Sequence, residues 1–358
     1  MQYIRFGKSN LKVSRLALGA MGFGSRDWRE WVLDDSDSRA IIKKALDSGI
    51  NFFDTCDFYS IGESETILGR ALLEYAPRDE VIVATKVGNP MSDHPNARGF
   101  SRKHIFDGVD ASLKRLKTDY IDLYQTHIWD PETNLDELVD AFADVVRAGK
   151  VRYVGVTTLP AWCFAKILHI AATTLAPPFV SMQCEYNLCH REVERELIPL
   201  CRAEGVALIP FSPFARGFLC ADRRRTENAT RRTESDSYTH KYYYRDGDFA
   251  VYEATKKIAD VRNLTTAQVA LAWVLQQPGI TAPIFGATRP EHIDEALATL
   301  DISLDEDDVA ALEAAYQPRP PRDKRALDDV GSGAGSGADS GGQTVGSRKN
   351  HSAAFACA

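Results

Sequence analysis

Four side chains in this sequence have types that suit a single proton transfer: Asp54, Tyr59, Lys86 and His127. Each stands at or just past the end of a strand-like run. Asn51-Phe52-Phe53 reads as the end of a short buried strand, and residues 54–59 as the polar, aromatic loop that follows it. The β-branched run 81–85 leads to Lys86, and the run 120–126 leads to His127. A free phenol has a pKa of about 10 and is a poor acid near neutrality. A neighbouring ammonium favours the phenolate, so Lys86 is expected to lower Tyr59, with Asp54 pairing with Lys86 to hold it. His127 can donate a hydrogen bond to a carbonyl oxygen and orient it. Together the four suit protonation of a carbonyl oxygen while another group delivers hydride to the carbon. The plainer alternative is a structural Asp–Lys pair beside a core Tyr and His.

The elements that must position these groups alternate along the chain. Residues 3–6 and 11–13 flank a Gly-Lys-Ser-Asn turn and predict a β-hairpin. Strand-like runs then close at Gly19, Asp54, Lys86, His127, Thr157, Gln183, Phe211-Ser212 and Gly286. Helical patterns are expected over 37–48, 63–75, 101–116 and 134–148, with Ser101 as an N-cap and Gly149 as a stop. Eight strand-like runs alternating with helices are the pattern of an α/β (β/α)8 TIM barrel, whose strand C-termini converge on one mouth. Periodicity alone does not separate this from an open doubly wound sheet. The lack of a phosphate fingerprint after the first strand weighs against the latter.

Residues 51–59, Thr85-Lys86-Val87-Gly88 and residues 120–127 resemble the aldo-keto reductase superfamily, on the branch of aryl-alcohol dehydrogenases and related aldehyde and ketone reductases. The resemblance covers residues 1–318 and implies one barrel domain, plugged by the N-terminal hairpin. It also implies NADPH/NADP+ as cofactor, a small carbonyl substrate and an Asp54–Tyr59–Lys86–His127 tetrad. By the same resemblance, Thr157 and Gln183 serve the nicotinamide carboxamide, and Phe211 stacks under the ring where Trp is usual. Ser212, Phe214 and Arg216 wrap the pyrophosphate, and Gly286, Thr288, Arg289, His292 and Glu295 hold the adenosine end. Thr288 and Arg289, at the start of a helix over 290–299, suit a 2′-phosphate. Ala296 departs from the pattern, where Asn is usual. The small residues around Gly22 let a ribose approach the backbone. Trp28 and Trp129 are candidate walls of the substrate pocket, or packed loop aromatics. Two further readings stay open: a nucleotide-binding regulatory subunit of the channel β-subunit type, and an enzyme of this family acting on sugars or sugar phosphates.

The remaining composition narrows the class. The chain has 358 residues and a net charge of −7, which argues against nucleic acid or an anionic membrane as partner. No apolar run approaches the ~18 residues of a membrane span, and seven scattered cysteines without an export signal suggest reduced thiols in the cytoplasm. The cysteines, Cys56 included, read as small core residues, and none sits at metal-ligand spacing, so no metal is expected. Residues 221–248 carry Arg223-Arg224-Arg225, Arg231-Arg232 and several tyrosines. The same resemblance implies that they fold over the dinucleotide; the plainer reading is a solvated loop. Residues 331–346 are rich in Gly and Ser, and residues 319–358 are expected to be a disordered tail.

Overall fold

The computed structural model describes residues 1–319. The expected disordered tail therefore lies outside the described residues, except for Arg319. That residue is anchored: Nη1 donates to the Tyr242 carbonyl (2.7 Å) and the guanidinium pairs with Asp248.

A hairpin opens the fold, with β1 (Tyr3–Arg5) antiparallel to β2 (Lys12–Ser14). The strand–helix alternation follows: β3 (Ala17–Gly19), α1 (Asp35–Asp47), β4 (Phe52–Asp54), α2 (Glu63–Tyr75), β5 (Ile82–Val87), α3 (Arg102–Leu116), β6 (Ile121–Thr126), α4 (Leu135–Arg147), β7 (Val151–Thr157), α5 (Ala161–Thr173), β8 (Phe179–Gln183), α6 (Leu197–Glu204) and β9 (Ala207–Leu208). Two short helices, α7 (Arg231–Ser235) and α8 (Ser237–Tyr242), interrupt it before α9 (Asp246–Arg262), α10 (Thr266–Gln276), β10 (Ile284–Phe285), α11 (Glu291–Ala298) and α12 (Glu306–Ala314).

Strands β3 to β10 form one parallel sheet of eight, in the order β10-β3-β4-β5-β6-β7-β8-β9. Its two ends meet through isolated parallel bridges, Phe211 with Ile284 and Leu208 with Ile280, and through Ile284 N donating to the Pro210 carbonyl (2.7 Å). This curled sheet with helices around it is consistent with a (β/α)8 arrangement.

Two apolar cores follow from the period-two alternation of side chains along each strand. One face of the strands gives Ala17, Phe52, Ile82, Ala84, Leu123, Val180 and Ile284, packed inside the curl. Phe6 from the hairpin joins them, its ring edge-to-face on Phe52 at 5.7 Å. The other face, including Phe53, Val83, Val87 and Tyr124, packs against the helices. Helix α4 shows the matching pattern: Leu135, Leu138, Val139, Phe142 and Val145 are buried, and Asn134 accepts from the amides of Asp136 and Glu137. Ser101 likewise caps α3, accepting from His104 N.

Candidate active site

The inward face fixes where the polar side chains gather. Phe52 and then Asp54 point inward on β4; Ile82, Ala84 and then Lys86 do so on β5. On β6 the inward series Leu123, Gln125 continues to His127 just past the strand. The apolar members fill the interior and the polar ones come last, so the polar residues emerge together at the C-terminal end. Lys86 is level with Gln125 in the β5–β6 register.

Lys86 is fully buried. Its Nζ donates to Asp54 Oδ1 (2.6 Å) and to the Thr55 carbonyl (2.8 Å), and lies 5.1 Å from the centroid of the Tyr59 ring. The second oxygen of Asp54 accepts from Gln183 Nε2 (2.9 Å) and Gln125 Nε2 (3.4 Å). The carboxylate is therefore held from β5, β6 and β8 at once. The His127 ring stands edge-on to Tyr59, centroids 5.5 Å apart.

Tyr59 begins a tight turn in which Ser60 and Ile61 both take φ of 50° and Gly62 takes 90°. Left-handed backbone is costly for ordinary residues and is an outlier for a β-branched one. Neighbours hold the turn in place. Ser60 Oγ accepts from Ser25 N (3.2 Å), and Gly24 has no room for a Cβ against the Ser60 side chain. On the strand side, Thr55 N donates to the Ala84 carbonyl (2.8 Å) and Ser64 Oγ to the Ala20 carbonyl (2.7 Å).

Electrostatics at the site differ from the sequence expectation in one respect. Burial raises the Tyr59 phenol above its ordinary value; the Lys86 charge pulls it down, but by less. The sequence predicted a net lowering because a neighbouring cation is visible there and desolvation is not. Tyr59 is thus a neutral phenol throughout the physiological range. Burial disfavours the Lys86 ammonium, yet Asp54 and the phenol outweigh it and hold Lys86 above its ordinary value. Burial, reinforced by Lys86, pushes His127 well below its ordinary value, so its imidazole is neutral.

Asp57 and Cys56 line the same loop. Cys56 is buried, as expected, but it is not simply packing: Sγ lies 2.8 Å from His127 Nδ1 and 3.1 Å from Asp57 Oδ1. Cys56, Asp57 and His127 bring donor atoms within 4.8 Å of one another, a cluster that sequence spacing did not reveal. The 2.8 Å separation of sulfur and nitrogen is a hydrogen-bond distance. Ligands of one tetrahedral Zn²⁺ would stand roughly 3.5 Å apart, from the usual Zn–S and Zn–N lengths.

Burial, with repulsion from Glu65, raises Asp57 to about 7. The folded carboxyl then keeps its proton over a range in which the unfolded chain, titrating near ~4, has lost it. Between roughly pH 4 and pH 7 the native state binds more protons, so stability falls as pH rises through that window. Asp57→Asn should remove this fall. Urea unfolding of both proteins at about pH 5 and about pH 8 would test it. An identical pH dependence in the two would show that Asp57 titrates normally.

The proposed dinucleotide residues occupy the same rim. Thr157 faces Gln183 in the β7–β8 register, and its buried hydroxyl has no partner among the described residues. Phe211 and Ser212 follow β9, and backbone at Ser212, Ala215, Arg216 and Gly217 is left-handed. Phe214 is half-buried. Arg216 directs Nε (3.0 Å) and Nη2 (2.6 Å) to Asp236 Oδ2. Gly286, Thr288 and Arg289 are exposed before α11; His292 Nδ1 accepts from Thr288 N (3.2 Å), and Arg289 makes no ion pair among the described residues. Glu295 accepts from Thr265 Oγ1 (2.5 Å), which occupies one of its oxygens. Gly22 lies on the rim beside Trp31.

Trp28 sits edge-on to Phe58 (5.9 Å) and 6.4 Å from Tyr59. Trp129 packs edge-on against Trp162 (6.0 Å), an exposed indole at the start of α5 that the sequence reading did not single out. Asn89 and Gln125, which touch His127 and Asp54, were also missed. Gln125 had a signal: it is the inward residue two before His127.

Residues 221–248 are not a solvated loop. Asp236, Thr239, Tyr242 and Tyr243 are buried, and one carboxylate, Asp236, is shared by Arg216 and Arg232. Arg232 also stacks on Trp31 (4.4 Å), as Arg29 does more loosely (5.7 Å). Burial opposes the Asp236 charge, but the two guanidinium groups override it and hold the carboxyl below its ordinary value.

A buried Lys–Asp pair beneath a neutral phenol and a neutral imidazole stands at the C-terminal rim of a parallel curled sheet. The family model for the aldo/keto reductase family matches residues 15–317, and the chain belongs to that family. Its relatives include versiconal hemiacetal acetate reductase of Aspergillus parasiticus, 41% identical over 340 residues (89% of this chain, 98% of that one). An aldo-keto reductase of Fusarium vanettenii is 37% identical over 345 residues (89% and 92%). A protein of Saccharomyces cerevisiae provisionally named an aryl-alcohol dehydrogenase is 37% identical over 342 residues (89% and 98%). No helix among the described residues is long and apolar enough to cross a membrane.

Proposed function

We propose that this chain is a cytoplasmic, NADPH-dependent reductase of aldehydes or ketones, built as one closed TIM-barrel domain. The observation that carries the reading is the fully buried Lys86–Asp54 pair, 2.6 Å apart, with the ammonium against the Tyr59 ring. Burying two charges is expensive unless geometry and hydrogen bonds compensate, and such a pair often adds little net stability. Its position beneath a phenol at the mouth fits a catalytic role.

In this mechanism Tyr59 gives its proton to the carbonyl oxygen as negative charge builds there. Lys86 stabilises the phenolate that remains, and Asp54 keeps Lys86 charged and in place. The neutral His127 donates a hydrogen bond that aims the carbonyl. NADPH, when bound, supplies the hydride. The residues present fit that cofactor. The unpartnered Thr157 hydroxyl beside Gln183 suits a carboxamide, and Gln183 keeps its Oε1 free of the bond that its Nε2 makes to Asp54. Arg29, Arg216 and Arg232 lie around the single carboxylate of Asp236, a surplus of positive charge that suits a pyrophosphate. Exposed Thr288 and Arg289 before α11 suit a 2′-phosphate.

Trp28 beside Tyr59, with Trp129 and Trp162, favours a bulky or aromatic carbonyl compound, in keeping with the names of the relatives. A panel of aromatic and aliphatic aldehydes and ketones, followed by loss of reduced-nicotinamide absorbance, tests the activity. No turnover with any of them would refute it. Arg289→Ala should raise the Kd for NADPH by about tenfold and leave that for NADH nearly unchanged, since a charge-assisted bond to phosphate is lost only in the former. Equal weakening of both would show that Arg289 does not read the 2′-phosphate.

A further inference from the structure

His127 carries two ring nitrogens, and only one can be turned to a substrate. Nδ1 is already engaged from two sides. Asn89 Nδ2 lies 2.6 Å from it, and Cys56 Sγ lies 2.8 Å from it. These partners come from different elements: Asn89 from the loop after β5, and Cys56 from the loop after β4. The backbone of His127 is pinned as well, its N–H donating to the Val87 carbonyl (2.9 Å).

An amide NH₂ only donates, and a thiol has one hydrogen to give. If Nδ1 carried the ring proton, that hydrogen would point at the donors of Asn89 and leave one approach unmatched. A bare Nδ1 accepts from the amide and shares its one lone pair with the thiol hydrogen, which Asp57 Oδ1 (3.1 Å) also faces. The proton of the neutral ring then belongs on Nε2. In a neutral imidazole the tautomer is set by the hydrogen bonds that the other nitrogen makes. The arrangement therefore specifies an N–H donor at Nε2.

We infer that Cys56 and Asn89 are positioning residues that together hold His127 in its Nε2–H tautomer and fix its ring plane, so that this N–H can orient a substrate oxygen. The inference rests on the reading of His127 given above. Neither residue touches the reacting atoms; both act through the imidazole. Cys56 has a further anchor. Its sulfur accepts from Phe58 N (3.2 Å) and lies within reach of Asp57 Oδ1 (3.1 Å), so the thiol cannot swing away from the ring without losing both. The buried cysteine that sequence reading took for packing is thus a polar contact to the site.

The test uses the full chain with ¹⁵N-labelled histidine. In the unmodified protein the His127 resonances should report a protonated Nε2 and a bare Nδ1. The double substitution Cys56→Ala with Asn89→Leu should shift the ring toward a mixture of tautomers. It should also lower kcat by about a hundredfold, each partner contributing about the tenfold that one hydrogen bond is worth. The Kd for NADPH should stay within a few-fold, a split that general damage to the fold would not produce. Cys56→Ser, whose hydroxyl can still donate, should recover most of the loss seen in Cys56→Ala.

Two results would overturn the inference: an Nδ1-protonated ring in the unmodified protein, or a double variant that keeps both the tautomer and full turnover. The first arm needs no variant and no turnover, so it decides the point even if the substitutions impair folding. It also decides it if the proposed carbonyl reduction fails. Loss of activity in Tyr59→Phe alongside an unaffected double variant would leave the functional reading standing and remove only the role of Cys56 and Asn89.

Discussion

Tyr59→Phe should lower kcat by about 10²–10⁴, the usual worth of a positioned general acid, and leave the Kd for NADPH within a few-fold. The substitution removes one hydroxyl and keeps the ring, so the edge-on contact with His127 and the tilted contact with Trp28 survive. Melting temperature should therefore change little. The buried phenol titrates above its ordinary value, so activity of the unmodified protein should show no loss from Tyr59 ionisation at moderately alkaline pH. Retention of most activity in Tyr59→Phe would return Asp54, Tyr59, Lys86 and His127 to the status of a structural cluster.

Lys86→Met should impair both turnover and folding, and the two effects can be separated. Lys86 and Asp54 are both buried, and removing one partner strands the other charge. Breaking a buried pair in this way costs about 3–5 kcal/mol. Methionine approximates the volume of the lysine stem, so little of that cost is cavity. Turnover should also fall by roughly 10² or more, since the phenolate loses its cation. Adding Asp54→Asn to Lys86→Met should restore much of the lost stability, because no bare charge remains, and none of the turnover. Denaturant unfolding and steady-state rates on the three proteins provide the check. A double variant that regains activity along with stability would mean that the pair only supports the fold. Combining Lys86→Met with Tyr59→Phe should not multiply the losses, because both residues serve one proton transfer.

The parts of this site that could be read from the sequence are those governed by strand periodicity. Asp54, Lys86 and His127 were legible because side chains alternate along a strand and the polar residue closing an apolar run must emerge at its end. Helix α2 was legible over its whole length, Glu63–Tyr75. The closing strands were less so. The runs closing at Phe211-Ser212 and Gly286 were expected as strands like the others, yet β9 and β10 keep only two residues each. Pro210 and Pro283 lack the N–H that a longer ladder needs, and serve through their carbonyls alone.

Helices α7 and α8 were hidden in a segment whose charge suggested solvent. Their arginines are instead partly spent on carboxylates within the same segment, Asp236 above all, which no linear pattern announces. Asn89 reads as an ordinary loop residue because its aim depends on where the β5 and β6 loops meet in space. The sign of the Tyr59 shift was lost for a similar reason: charge neighbours are visible in a sequence, but desolvation is a property of the folded volume.

The left-handed turn at Ser60-Ile61-Gly62 links the catalyst to the condition of the whole molecule. Local preference does not favour that backbone; Gly24 and Ser25 hold it by contact with Ser60, and Thr55 N bonded to the Ala84 carbonyl fixes the chain that leads into it. Any warming or denaturant that loosens those supports lets the turn relax toward ordinary dihedrals while the surrounding helices are still intact. The phenol would then leave its place over Lys86 before the fold is lost. Thermal inactivation should accordingly run ahead of melting, with rate falling at temperatures where far-ultraviolet dichroism is still native. Superimposed curves would mean that the turn holds until the barrel itself gives way. If the curves separate, this enzyme's working ceiling is set by four residues at the rim and not by its core.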